Sequence, residues 1–279
     1  MTAVNGFYAG IDVGSLTAKS VIIDHSGIVA AKIIRTGAVP QKAGEAVFQK
    51  VLDRAHCRRE EIRRIVATGY GRISLPFADK ALTEISCHAK GVRFLNPDVA
   101  SLIDIGGQDS KAITLNKDGS VADFIMNDRC AAGTGRFLEI MAGALEVNID
   151  DFSRLSVRTG EPCQINSTCI VFAESEVISL LAAGNSRSDI AAGLHQSIAR
   201  RVGTMARRLK PFKNTAFVGG VAKNQGLCRA LENVLGAGFM PIDADVQITG
   251  ALGAAIFAKE QVLQEQKNEC HDVGTYKND

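Results

Sequence analysis

Apolar residues over the first 36 positions fall in short runs broken by turn residues. Tyr8 to Val13 and Lys19 to Asp24 read as strands, His25-Ser26-Gly27 as a turn, and a third strand follows, the opening of a β-meander. Residues 41 to 56 place Ala43, Ala46, Val47, Val51, Leu52 and Ala55 at helical spacing. Arg64 to Thr68 reads as a short buried strand, with a helix expected near 79 to 91. At Asn96-Pro97 the pattern restarts: strands at Ser101 to Ile105, Lys111 to Leu115 and Val121 to Met126, with turns at Gly106-Gly107 and Asn116 to Gly119. Helices are expected at about 131–146, 171–183, 187–209, 223–235 and 249–266. The two halves open alike, with an apolar strand ending around Asp, then glycine, then a hydroxyl or carboxamide, which predicts two related lobes in an α/β chain. The expected division is 1–95, 96–248, a helix at 249–266 packing back toward the first lobe, and a flexible polar tail at 267–279.

Composition narrows the class. The chain has 279 residues, 46% of them apolar, and 32 basic against 30 acidic side chains leave a net charge of +2. That balance removes the usual basic excess of nucleic-acid or anionic-membrane binders. No run approaches the roughly 20 apolar residues of a membrane span, and the first residues lack a secretory pattern, so a cytoplasmic protein is expected. In a reducing compartment its seven cysteines, without a CxxC pair, do not read as a disulfide framework or zinc ribbon.

Candidate chemistry lies at the two strand-to-turn segments. Ile11-Asp12-Val13-Gly14-Ser15-Leu16-Thr17-Ala18-Lys19 sets a carboxylate at a strand end beside a glycine, hydroxyls and a lysine, a set suited to a phosphate chain with Mg²⁺. It is neither a P-loop nor a GxGxxG fingerprint, and an ordinary hairpin turn is the alternative. Leu102-Ile103-Asp104-Ile105-Gly106-Gly107-Gln108-Asp109 repeats that chemistry, and Phe217-Val218-Gly219-Gly220-Val221-Ala222-Lys223-Asn224 carries paired glycines between a strand and a helix.

Cys130 directly precedes Ala131-Ala132-Gly133-Thr134-Gly135, and Cys169 opens Ile170-Val171-Phe172-Ala173-Glu174 39 positions later. Both thiols are expected at helix starts, where free N–H groups favour a thiolate and a bound anion; a buried apolar filler is the alternative reading. Two thiolates fall short of the four of an iron-sulfur site, and a two-fold dimer would supply the other two. Cys163 reads as a loop thiol. Glu139, Glu174 and Glu176 read as helix-face carboxylates, and His88 and His195 lack metal-ligand spacing.

The three glycine-containing motifs, in this order, resemble the phosphate-1, phosphate-2 and adenosine motifs of the actin-like ATPase fold shared by acetate and sugar kinases and heat-shock chaperones. NDRCAAGTGRFLE, STCIVFAESEVIS, ATGYGR (Ala67 to Arg72) and IDIGGQDSK further resemble the ATP-dependent activators of 2-hydroxyacyl-CoA dehydratases and the related ATPase subunits of benzoyl-CoA reductases, the BadF/BadG/BcrA/BcrD type, over Gly10 to about Ala258.

The resemblance implies ATP or ADP with Mg²⁺ in a cleft between two lobes. Asp12 and Asp104 would orient the metal or its waters, and one of Asp104, Gln108 and Asp109 the attacking water. Gly14, Ser15, Leu16, Thr17, Ala18, Lys19, Gly106 and Gly107 would hold phosphates, and Gly219, Gly220 and Gln247 would lie by the nucleoside. It also implies a homodimer with one [4Fe-4S] cluster on Cys130 and Cys169 of each subunit, reduced by ferredoxin or flavodoxin. The dimer would pass one electron to the dehydratase, whose substrate thioester becomes a ketyl radical. Arg129, Ile170 and Leu16 depart from the usual residues without removing a ligand. The acyl-CoA substrate is not specified, since benzoyl-CoA reductase and double-cubane reductase systems share these motifs. A small-molecule kinase and a chaperone-like switch are the competing classes.

Overall fold

In this computed structural model residues 6–127, 130–158, 161–166 and 169–275 are described, with side chains to Asn268 except Arg158. The described residues form two compact units, one up to Leu95 and again from Ile248 onward, the other Asn96–Gln247. Asp128, Arg129, Ser167 and Thr168 of the two cysteine motifs, and the Cys270 side chain, lie outside the described residues.

In the first unit β1 (Phe7–Val13), β2 (Thr17–Ile23) and β3 (Ile28–Arg35) form an antiparallel meander. β4 (Ile62–Thr68) and the two-residue β5 (Lys80–Ala81) add to the other side in parallel, giving the order β3-β2-β1-β4-β5. Side chains of a strand alternate between faces, and β1 uses both. Ala9, Ile11 and Val13 pack with Val47, Phe48, Val51 and Leu52 of α1 (Pro40–Ala55). On the other face, α8 (Thr249–Thr275) presses so close that a Cβ on Gly10 would stand 1.9 Å from the Ala251 carbonyl. Asp12 shares that face, at the strand's end. Its neighbour α2 (Glu84–Leu95) packs along α8.

Two expectations shift here. The helix expected at 79–91 begins at Glu84, because Asp79 and Leu82 donate their N–H groups to Ile65 and Ala67 of β4 and the segment between is a strand. The helix read as 249–266 continues to Thr275, where a frayed polar tail was expected from 267.

The second unit repeats the plan with the sheet order β8-β7-β6-β9. β6 (Ser101–Ile105), β7 (Ser110–Leu115) and β8 (Val121–Asn127) are antiparallel in turn, and β9 (Thr215–Val218) lies parallel to β6. Its core joins Ile103, Ile105 and Ala112 of the sheet to Phe137 and Met141 of α3 (Gly135–Ala144), Phe152 of α4 (Ile149–Leu155), Val177 of α5 (Ile170–Ala182) and Leu227 of α7 (Gln225–Leu235). The stripe read along the long helix is buried at Ile190, Leu194, Ile198 and Val202 of α6 (Arg187–Ala206), while Arg200, Arg201, Arg207 and Arg208 face solvent. α3 starts four residues later than the pattern suggested and α4 was not read at all. Alanine and glycine at 131–133 are apolar without being helical, and Gly133 sits at φ +86°.

Candidate functional site

Each unit builds the same small constellation at the carboxyl end of its first strand. In the first, Asp12 is 4% exposed and opposes Lys19 across β1 and β2, with Nζ 3.2 Å from Oδ2. The Gly14 N–H donates to the Thr17 carbonyl at 3.0 Å and closes the turn. In the second, Asp104 is 3% exposed and opposes Lys111, whose Nζ is 3.3 Å from Asp104 Oδ2 and 2.9 Å from Asp109 Oδ2. The Gly106 N–H closes this turn on the Asp109 carbonyl at 3.0 Å. Asp, Gly, the turn-closing residue and Lys recur 92 positions apart throughout, so the Asp-x-Gly-x-x-x-x-Lys spacing was a sequence signal for Lys111, which motif reading passed over.

A glycine of the neighbouring strand presses on each carboxylate: Gly69, which sequence reading did not single out, and Gly219, which it placed by the nucleoside. β4 runs parallel to β1 with Thr68 opposite Asp12, and Gly69 follows at φ +84°. A Cβ on Gly69 would lie 2.3 Å from Asp12 Oδ1. β9 runs parallel to β6 with Val218 opposite Asp104, and Gly219 follows at φ +88°, its Cβ position 2.5 Å from Asp104 Oδ1. Positive φ and the contact both demand glycine, so the neighbouring strand pins each carboxylate from one side while the lysine holds the other. Ligands of open α/β sheets sit beyond these strand ends.

Around Asp12, Gly250 at the start of α8 leaves 3.1 Å between its Cβ position and Oδ2, and His88 Nδ1 meets Thr249 Oγ1 at 2.8 Å. Thr36 ties the turn down, its Oγ1 donating to the Gly14 carbonyl at 2.7 Å and its N–H to Leu16. The Ala18 methyl is buried in the core with Ile11 and Ile22, so only its backbone faces the turn. Ser15, Leu16 and Thr17 are half-buried. Beneath the site, burial pushes the Cys87 thiol up to about 12, against the opposing hydrogen bond to Thr68; it is a neutral filler.

In the second unit Gly107 is half-buried and Gln108 exposed. Gly219 donates to the Val246 carbonyl at 3.1 Å, and Gln247 Nε2 lies 3.0 Å from the Cβ position of Gly220, so the structure brings the paired glycines and Gln247 together.

The cysteines divide. Cys169 is exposed and is the N-cap residue of α5. Cys130 is half-buried but lies in the loop before α3, not at the helix start. The N–H groups of Gly135 and Arg136 that open α3 donate instead to the carbonyls of Gly106 and Gly107, each at 2.9 Å. The free helix-end donors expected beside this thiol are therefore taken by the phosphate-type turn. Cys163 is a half-buried loop thiol, raised by burial, with Sγ 3.5 Å from Asn185 Oδ1; burial likewise pushes Cys228 up to about 11. Among the described residues no group of three or more His, Cys, Asp or Glu gathers as a metal site, and no helix is long and apolar enough to cross a membrane.

Residues 9–258 match the BadF/BadG/BcrA/BcrD ATPase family. The chain is 48% identical over 256 residues to the activator of lactoyl-CoA dehydratase from Anaerotignum propionicum, covering 90% of this chain and 96% of that one. It superposes on the activator of the 2-hydroxyisocaproyl-CoA dehydratase from Clostridium difficile, solved with bound ADPNP, with a TM-score of 0.88 and 42% identity over 94% and 97% of the two chains. The ROK hexokinase from Thermus thermophilus shares the actin-like ATPase fold at a TM-score of 0.51 and 16% identity, covering 92% of this chain and 99% of the other.

Proposed function

Because the chain belongs to the BadF/BadG/BcrA/BcrD ATPase family, we propose that it is the ATP-hydrolysing activator of a 2-hydroxyacyl-CoA dehydratase, delivering one low-potential electron to that enzyme. The observation that carries this reading is a conjunction. The unit that holds the second carboxylate–lysine turn also bears the thiols of the two cysteine motifs, Cys169 exposed and Cys130 half-buried.

The turns suit Mg²⁺ with a phosphate chain. Asp12 and Asp104 present pinned carboxylates to the metal or its waters. Ser15, Thr17 and Lys19 supply hydroxyls and charge to the phosphates, Gly14, Gly106 and Gly107 let the backbone of the turns approach them closely, and Gly219, Gly220 and Gln247 flank the nucleoside. One of Asp104, Gln108 and Asp109 orients the attacking water; phosphoryl transfer asks the protein mainly for such positioning.

The thiols suit half of a [4Fe-4S] site. Two thiolates per chain leave two positions of a four-thiolate site to a second copy. α5, which Cys169 opens, exposes Val171, Phe172 and Ile178, apolar surface of the kind that self-association covers. When bound, the cluster supplies the electron, which it receives from ferredoxin or flavodoxin. The chain's part is to hold it with Cys130 and Cys169 and to tie its exposure to nucleotide state. A cytoplasmic homodimer follows from this reading.

Anaerobically purified protein is expected to carry about four iron and four acid-labile sulfide per two chains. Cys130→Ser and Cys169→Ser are expected to bleach it while leaving MgATP binding in place. A colourless, iron-free dimer with full ATPase activity would refute the cluster.

A further inference from the structure

We propose that the 106–110 turn holds the Cys130 loop from both ends, so that nucleotide at the turn repositions this cysteine within its own unit, with Gly135 as the positioning residue. For the ligand at the turn, the inference rests on the nucleotide reading above.

The first hold is the start of α3. Residues at the first helical positions lack intrahelical partners for their N–H groups, and here Gly135 and Arg136 spend theirs on Gly106 and Gly107. A carbonyl turned toward α3 fixes the direction of the neighbouring peptide N–H groups, which are the groups a phosphate would draw on. Any reorientation of the Gly106-Gly107 peptides must therefore break or drag these two bonds.

Between Gly135 and Cys130 the chain has little slack. Thr134, fully buried, donates both its N–H (3.1 Å) and its Oγ1 (2.6 Å) to the Ala131 carbonyl. Ala132 is buried and Gly133 is fixed at φ +86° against Ile198, Arg201 and Val202 of α6. A closed, packed turn of this kind moves as a body.

The second hold is Asn127. It pairs with Ser110, the residue after Asp109, across β7 and β8, and its Nδ2 donates to the Cys130 carbonyl at 3.0 Å. Cys130 is thus tied at one end to Gly106 and Gly107 and at the other to Ser110, the two ends of one turn.

Glycine is needed at 135 for contact. Its Cβ position lies 3.1 Å from the Gly106 carbonyl, 3.4 Å from Gly107 Cα and 3.4 Å from Val221 Cγ2. A methyl there wedges the helix start away from the turn without removing the N–H. Proline does both: its ring replaces the donor and displaces Gly106, while α3 can still form. The first helical position accepts proline, and Thr134 is extended at φ −120°, ψ 171°, as a residue before proline requires.

The test uses cluster-free full-length protein. Iodoacetamide labelling of Cys130 and Cys169 is followed by mass spectrometry without nucleotide, with MgADP and with the Mg complex of ADPNP, and nucleotide binding is measured on the same samples. In the native chain the Cys130 labelling rate is expected to change by about fivefold or more between nucleotide-free and ADPNP-bound protein. Gly135→Pro, Gly135→Ala and Asn127→Ala are expected to shrink that change while still binding ADPNP; the alanine variants carry the test if the proline chain fails to fold. A merely structural role for Gly135 would alter binding or labelling in every state alike and leave their ratio intact.

Equal Cys130 labelling with and without bound ADPNP in the native chain overturns the inference, as does an undiminished response in both alanine variants. A chain that binds nucleotide and responds at Cys130 but takes up no iron overturns the cluster reading alone. One that binds no nucleotide overturns both.

Discussion

A methyl group at residue 69 has nowhere to go but into the Asp12 carboxylate. The Cβ position of Gly69 is 2.3 Å from Asp12 Oδ1 and 2.7 Å from the Val13 carbonyl, roughly 1 Å inside van der Waals contact. The Val13 carbonyl also accepts the Gly71 N–H at 2.8 Å, so the backbone is held and the carboxylate must give way. Its Oδ2 is held by Lys19 at 3.2 Å. Gly69→Ala therefore displaces a proposed metal-holding group by about 1 Å, a misplacement that costs on the order of 100-fold in rate. The positive φ adds about 1–2 kcal/mol of strain. Gly219→Ala repeats the experiment on Asp104, with 2.5 Å to Oδ1 and 2.4 Å to the Ile105 carbonyl. Gly236→Ala is the control, since φ is +75° there but nothing lies within 4 Å. Steady-state MgATP hydrolysis and urea unfolding are measured on all three. The expected result is a similar loss of stability in the control, with the large loss of kcat confined to residues 69 and 219. If Gly69→Ala keeps its kcat to within about threefold of the native value, the carboxylate is not the group that its packing makes it.

Other perturbations probe the same structure. Lys111 is buried between Asp104 and Asp109; Lys111→Met removes the cation that buried Asp104 opposes and is expected to destabilise the second unit by about 3–5 kcal/mol in urea unfolding, a cost below about 1 kcal/mol meaning that the pair is effectively solvated. His195 is 1% exposed, its ring tilted against that of Phe152 at 4.6 Å between centroids, and burial lowers it to about 3. Because the unfolded chain binds the proton and the folded chain does not, its contribution is complete above pH 6.5 and declines as pH falls toward 3. The loss is about 2 kcal/mol at pH 5, and His195→Leu should remove that share of the pH dependence of urea midpoints between pH 5 and 8. Cys87, held near 12 by burial, is expected to resist iodoacetamide at pH 8 until the chain is unfolded; labelling as fast as that of exposed Cys169 would contradict its burial.

Much of the site could be read along the chain because it is local. A carboxylate at a strand end, a glycine that closes the turn and a lysine on the returning strand lie within eight residues, so Asp12, Gly14 and Lys19, and likewise Asp104 and Gly106, follow from period-two alternation and turn chemistry alone. The same alternation located the meanders, and apolar recurrence at helical spacing located the buried stripe of α6. What the sequence could not decide is where distant segments meet. Gly69 and Gly219 reach the carboxylates only because parallel pairing aligns Thr68 with Asp12 and Val218 with Asp104.

The start of α3 is the sharper case. Apolar spacing continues back to Ala131, yet the helix begins at Gly135, since a tertiary acceptor, the 106–107 turn, competes for its first N–H groups. Local pattern determines which backbone donors exist and which face is apolar; only the folded chain decides which acceptors come within 3 Å of them.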